Sequence, residues 1–233
     1  MISKNMDYYK VVNHIDREAI IDTYSTNYSL ILSKSNNYAD LLDFIVSSSE
    51  ELEIPLDFYF TLNNGLSLFG EMYLKNFSQH NNGLISYSKE VYAQRNFPIR
   101  VEDFVLIIQS LIKIGIQLFN EGFYLWEYIY ELVRKEYCPN KPKRADSFFL
   151  FDSVNDCIYY RDKIKGGGEI CKVEIINERK LFKGDMNLLD LIPNNITTKE
   201  AKNQTLKYWN GESSTIPVYE YLLEGECRLI PIK

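Results

Sequence analysis

The sequence predicts an α+β fold, and three observations predict it. Strand-like runs stand near both ends, Asp7 to Val12 and Val218 to Leu223, rich in the aromatic and β-branched residues that suit a pleated, half-buried surface. Between them, Phe104 to Phe119 repeats apolar residues at steps of three and four, the period of a helix. Past the rigid basic connector Asn140-Lys141-Pro142-Lys143 the chain returns to mixed elements, beginning with the strand-like Ser147-Phe148-Phe149-Leu150-Phe151.

Taken in order, the first element is the strand ending in Tyr8-Tyr9-Lys10-Val11-Val12. His14 to Ile21 follows with an apolar spacing closer to a helix. Tyr28 to Leu32 reads as a second short strand, and Ser33 to Asn37 as a polar loop. Asp40 to Leu52 is predicted to be an amphipathic helix, with Leu41, Leu42, Ile45 and Val46 on one face and Ser48 to Glu51 as its polar end. From Pro55 to Pro98 the periodicity weakens; Phe58-Tyr59-Phe60 fits a strand or a buried helix equally well at that length. The strongest helical pattern places Phe104, Ile107, Ile108, Leu111, Ile114 and Leu118 on one face and stops at Glu121-Gly122. A second helix carries Trp126, Ile129, Tyr130 and Val133, has Glu131 and Lys135 at the favourable i,i+4 spacing, and ends before Pro139.

In the last third, Asp152 or Ser153 caps a helix predicted over Val154 to Ile164. Gly166-Gly167-Gly168 reads as a hairpin turn, since it opens no helix and lacks the GxGxxG spacing of a dinucleotide fingerprint. Ile170 to Ile176 alternates as a strand, and Asp185 to Leu191 is a helical turn. Thr197-Thr198-Lys199-Glu200 opens a helix that runs to Trp209 and closes at Asn210-Gly211. Val218 to Leu223 and Cys227 to Ile232 form the last strands, joined by a turn at Glu224-Gly225.

Composition limits the function. With 233 residues, 45% hydrophobic and 25% charged, the chain can bury a real core and is not a disordered segment. A net charge of −6 provides no global field for nucleic acid or anionic membrane, so a nucleic-acid partner would need a local basic patch. The start has no signal-peptide pattern. The most apolar stretch is interrupted by Gln109, Ser110, Lys113 and Gln117 and is too short to span a bilayer, so a cytoplasmic protein with no membrane partner is expected. Cys138, Cys157, Cys171 and Cys227 are widely spaced, and the chain has only two histidines, so neither a metal site nor a disulfide framework is expected. No GxSxG elbow, P-loop or HExxH is present. The 18 Tyr and 13 Phe fit either a biased coding composition or an aromatic-lined site.

Three segments stand out together: Tyr8-Tyr9-Lys10-Val11-Val12 followed by a helix-like run, Arg144-Ala145-Asp146-Ser147-Phe148-Phe149 followed by a helix ending in Tyr159-Tyr160, and Pro217-Val218-Tyr219-Glu220-Tyr221 near the end. In this order they resemble the ADP-ribosyltransferase superfamily, and within it small bacterial members of the toxin and phage-defence type. The resemblance implies a single domain over 1–233 with a split β core and a mostly helical insertion at about 33–140. It also implies NAD as co-substrate, no metal, and transfer of ADP-ribose to a macromolecule, RNA or protein. An inhibitory partner protein is a further implied partner.

The resemblance makes Glu220 the catalytic carboxylate. Breaking the nicotinamide–ribose bond passes through an oxocarbenium-like sugar, which a carboxylate beside the ribose stabilises where the charge develops. Glu220 shares a strand face with Val218 and Leu222, where a charge is costly unless it lies in a cleft or is paired; the plain alternative is an edge glutamate facing water. Arg144 suits the NAD phosphates as a guanidinium fork, or else belongs to the surface cluster Lys135, Lys141 and Lys143, whose charge favours a phosphate-bearing acceptor. Ser147 would orient the glutamate or bond the ribose, or it simply begins its strand. Tyr9 and Tyr160 would stack on the nicotinamide or adenine, or pack in the core. Lys10 stands where the superfamily carries a histidine, so NAD anchoring passes to Tyr9 or Arg144, or the site has decayed. Val218 replaces the second glutamate of arginine-modifying members, which leaves nucleic acid, another side chain or water as acceptor. Two other readings stay open: a non-enzymatic interaction module on a degenerate version of the fold, and an NAD glycohydrolase.

Overall fold

The computed structural model describes residues 6–28, 37–80, 83–87, 99–118 and 123–232. In chain order the elements are β1 (Tyr8–Val12), β2 (Ala19–Asp22), α1 (Ala39–Leu52), α2 (Leu56–Phe69), β3 (Phe77–Gln79), β4 (Leu84–Tyr87), β5 (Ile99–Arg100), α3 (Val101–Ile114) and α4 (Phe123–Tyr137). There follow β6 (Phe148–Leu150), α5 (Val154–Tyr160), β7 (Glu169–Asp185), α6 (Asn187–Asp190), α7 (Thr198–Trp209) and β8 (Tyr219–Pro231). The protein is α+β, and its sheets are antiparallel. The chain divides into two compact units, one of residues 1–34, 130–192 and 203–233, the other of residues 35–129 and 193–202.

The first unit is organised by the pairing of β7 with β8, which runs from Asp185↔Tyr219 to Cys171↔Pro231. β8 has a second edge to satisfy. β6 takes its first half, in register at Phe149↔Leu222, and β2 takes its second half at Ile21↔Cys227. β1 pairs with the start of β7 at Lys10↔Cys171, and a bridge between Tyr9 and Phe151 carries it to the end of β6. The strand path β6–β8–β7–β1 therefore curls back toward its beginning. Two register shifts in β7, between Ile175 and Asn177 and between Glu178 and Lys180, lie opposite Gly225. There φ is +153° and a Cβ would stand 2.0 Å from the Asn177 carbonyl oxygen, so only glycine fits.

β8 alternates as a central strand should. Tyr221, Leu223, Cys227 and Leu229 join Phe148, Leu150 and Val173 in one core. Glu220, Leu222 and Glu224 point to the opposite face, and both sets are buried. On that opposite face Phe182 packs at 5.3 Å from Tyr208 and 5.2 Å from Trp209, ring centre to ring centre.

Four expectations need correction in this unit. His14 to Ile21 holds no helix; Ala19–Asp22 is a strand, because the open edge of β8 recruits it and four residues are too few for periodicity to decide. The predicted turn at Glu224-Gly225 lies within one continuous strand, β8, opposite the two bulges of β7. The strand predicted over Ile170 to Ile176 runs on to Asp185, through the polar run Asn177-Glu178-Arg179-Lys180, whose backbone is held by β8. Gly166 to Gly168 joins a π-helical turn, Arg161–Lys165, to β7 and closes no hairpin.

In the second unit α1 buries Leu41, Leu42, Ile45 and Val46, the face the spacing predicts. Phe58 to Phe60 belong to a helix, α2, which buries Leu56, Tyr59, Leu62 and Leu66. α3 buries Phe104, Ile107 and Leu111 and ends at Gly115, short of the predicted Phe119. The three short strands β3, β4 and β5 form a sheet of their own. α7 opens with a capping box: the Thr197 N–H donates to Glu200 Oε2 at 2.8 Å, and the Glu200 N–H to Thr197 Oγ1 at 3.4 Å. The predicted strand at Tyr28 to Leu32, the loop at Ser33 to Asn37 and the helix stop at Glu121-Gly122 lie wholly or mostly outside the described residues. Among the described residues no helix is long and apolar enough to cross a membrane.

Candidate functional site

β8 carries Glu220 into the first unit opposite Gly184 of β7. The missing side chain at Gly184 is what makes the site possible, for a Cβ there would stand 2.2 Å from the ring of Tyr208. Tyr208, from the last turn of α7, lies over the strand and donates its hydroxyl to Glu220 Oε1 at 2.7 Å. Arg144 enters from the short 3-10 turn Arg144–Asp146 that follows the Pro142 connector. Its Nη1 donates to the same carboxylate oxygen and to the Tyr208 hydroxyl at 2.9 Å. The guanidinium carbon sits 4.9 Å from the centre of the Phe149 ring, a cation–π contact. Glu220 is 6% exposed, so it is neither an edge glutamate nor open to water. The charge is compensated by the arginine and bridged by the tyrosine, as a desolvated carboxylate requires.

Ser147 contributes indirectly. Its hydroxyl donates to the Lys143 carbonyl at 2.6 Å and closes the turn from which Arg144 projects, so it positions the arginine and makes no bond to Glu220. Lys10 of β1 brings its ammonium 4.8 Å from the Phe148 ring centre and 5.8 Å from that of Phe149. Burial lowers its pKa to about 8; the nearby Lys165 charge acts in the same direction, and Glu220 acts against both. Lys165, in the π-helical turn, donates to the Val11 carbonyl at 3.2 Å, and burial lowers its pKa as well. Tyr160 at the end of α5 has its pKa raised by burial and then by the charge of Glu220. Tyr9 packs with Val11, Phe151 and Cys157, and Tyr160 lies against the same cluster.

Of the residues singled out in the sequence, Arg144 and Glu220 meet directly, and Lys10 and Tyr160 lie within electrostatic reach of the carboxylate. Tyr9 is a packing residue, and Ser147 supports Arg144. The basic cluster is spent locally. Lys135 pairs with Glu131 at 3.9 Å, Lys143 with Asp146 at 3.0 Å, and the Lys141 ammonium lies 4.3 Å from the Phe182 ring centre.

Sequence reasoning missed Tyr208, Gly184 and Asp185. Asp185 is fully buried at the end of β7. It accepts from the Asn187 N–H at 3.1 Å and the Val218 N–H at 2.9 Å through one oxygen, and from the Ser214 N–H at 2.6 Å through the other. Burial pushes its carboxyl up, but hydrogen bonds from Ser214, Val218 and Asn187 outweigh this and hold it below the usual range. This anchor fixes the entry of β8 two residues before Glu220. A buried aspartate ahead of a helical turn is a common capping signal, but nothing local ties it to Ser214 and Val218. The remaining cysteine chemistry is quiet: Cys157 and Cys227 are buried, and burial pushes each thiol up to about 12. Among the described residues no group of His, Cys, Asp and Glu is arranged to hold a metal ion.

Fold and site together define an α+β protein whose long central strand pair carries a buried arginine–tyrosine–glutamate cluster. The chain belongs to the family described as "Protein of unknown function (DUF2441)", whose model matches residues 13–232. No curated protein matches it.

Proposed function

We propose that the protein is an NAD-cleaving enzyme of the ADP-ribosyltransferase type that transfers ADP-ribose to a macromolecule, RNA or protein. One observation supports this reading: Arg144, Lys10 and Tyr160, drawn from distant parts of the chain, gather around the single carboxylate of Glu220. The donor set suits the substrate's chemistry. Lys10, Lys165 and Arg144 supply cations for a pyrophosphate, Phe149 and Tyr160 offer aromatic faces, and Glu220 supplies the negative charge that a developing oxocarbenium ribose needs. In this reading Arg144 moves from the carboxylate to a phosphate as NAD enters, an exchange of one charge-assisted pairing for another. Lys10 takes the place of the superfamily's histidine as a cation. A toxin or defence role in the cytoplasm, with a neutralising partner protein, belongs to the same proposal.

The test is nicotinamide release from labelled NAD, with protein and total RNA offered as acceptors. The natural protein releases nicotinamide and labels one acceptor; Glu220→Gln, checked for folding by circular dichroism, releases none. Unchanged release in that variant sinks the assignment of Glu220. Free ADP-ribose as sole product selects an NAD glycohydrolase. A second reading has its own observation: Glu220 is closed over by Arg144 and Tyr208, as in a purely structural clamp. On that reading the fold is an interaction module, and the natural protein leaves NAD intact with every acceptor.

A further inference from the structure

Further along the same face of β8, Glu224 lines a cleft of about 460 Å³ that neither Glu220 nor Arg144 reaches. Four residues of strand separate the two carboxylates, roughly 13 Å. The volume lies in the range of small-molecule sites. Its walls come from the loop after β2, from the connector before β6, from Glu224 of β8 and from the bulged middle of β7.

Glu224 is 8% exposed, which is unusual for a carboxylate on a cleft wall. One oxygen accepts the Lys143 N–H at 2.7 Å, and the other pairs with the Lys180 ammonium at 3.2 Å. Each oxygen keeps accepting capacity, and the ammonium keeps N–H donors. Across the cleft, Thr23 Oγ1 accepts the Gly225 N–H at 2.9 Å and retains its own O–H to donate. Ser25 donates to the Asp22 carbonyl at 3.2 Å and retains lone pairs to accept. The lining charges cancel: Lys143 and Lys180 against Asp146 and Glu224.

A phosphate in this cleft would face two carboxylates, and a cation would face two ammonium groups. A hydroxyl both donates and accepts, and a ring bearing adjacent hydroxyls matches alternating donors and acceptors without net charge. We propose that the cleft binds a neutral polyhydroxylated ring, a sugar or the ribosyl end of a nucleoside. The proposal does not rest on the NAD reading, because its residues are different ones.

The experiment is saturation-transfer NMR on the full chain with D-glucose, D-ribose and adenosine as millimolar probes, and inorganic phosphate is followed in parallel by broadening of its 31P line. Ring protons of at least one of the three polyols take up saturation; adenosine alone points to a nucleoside, and glucose or ribose to a free sugar. Lys180→Met removes a charge-assisted donor at the rim and weakens binding roughly tenfold or more. Ser25→Ala, a milder change that leaves the Glu224 pairings intact, weakens it as well. No saturation on any polyol overturns the proposal, as does binding of phosphate alone or binding unchanged in both variants.

Discussion

Replacing Arg144 with methionine removes the guanidinium and keeps much of the apolar stem. The Arg144 and Glu220 side chains are 13% and 7% exposed, so this is a buried pair and not a surface one. Without the arginine, Glu220 keeps the Tyr208 hydroxyl as its hydrogen bond but loses its paired charge, leaving the more distant Lys10 ammonium. Breaking a buried pair from one side costs about 3–5 kcal/mol. For a chain of this size that lowers Tm by about 6–20 °C. The double variant Arg144→Met/Glu220→Gln removes the stranded charge, and glutamine still accepts from Tyr208, so it recovers about 2 kcal/mol or more of the loss. Guanidinium unfolding followed through Trp209, in a Trp126→Phe background so that one indole reports, measures all four corners of the cycle. A cost under about 1 kcal/mol for Arg144→Met would equal that of an exposed pair and would refute the reasoning. So would a double variant no more stable than the single one.

Three further outcomes are expected. Gly184→Ala drives a Cβ to 2.2 Å from the Tyr208 ring; it costs about 1–3 kcal/mol and breaks the Tyr208–Glu220 hydrogen bond, and an unchanged Tm with unchanged near-ultraviolet circular dichroism of the Tyr208–Trp209 pair would contradict it. Lys10 has a folded pKa of about 8, below its unfolded value, so between those two values the unfolded chain binds more protons and stability rises with pH. Lys10→Met lacks that rise, and parallel unfolding curves for both proteins from pH 7 to pH 10 would count against a buried ammonium. Asp185 has a depressed pKa, so its contribution is full above the unfolded carboxyl value and is lost as pH falls through the folded one. Asp185→Asn therefore costs about 2–3 kcal/mol at neutral pH and progressively less in acid, and denaturation at pH 7 and pH 3 should show that gap narrowing.

Some of the fold was written locally and could be read there. α1 shows its buried face in the spacing of Leu41, Leu42, Ile45 and Val46. α7 announces its start in Thr197 and Glu200, and α5 its start in Ser153, whose hydroxyl accepts the Asp156 N–H at 3.3 Å. β1 is recognisable from its aromatic and β-branched residues. The α+β class follows from such signals, because helix caps and apolar periods act over a few residues.

The candidate site was half legible. Glu220 drew attention as a carboxylate on an apolar strand face, and Arg144 as a guanidinium at the mouth of a strand; each is a local anomaly. That they form one pair, with Tyr208 between them, is decided by the register of β7 on β8 and by the space that Gly184 leaves. The same holds for β2 and for the polar stretch of β7, whose strand state comes from hydrogen bonds to β8 and not from their own residues. The sequence by itself determined the fold class, most helices and the two charges at the site. Only the tertiary structure decided that those charges meet, are buried and neutralise each other, because burial and pairing depend on residues distant in the chain that no local pattern specifies.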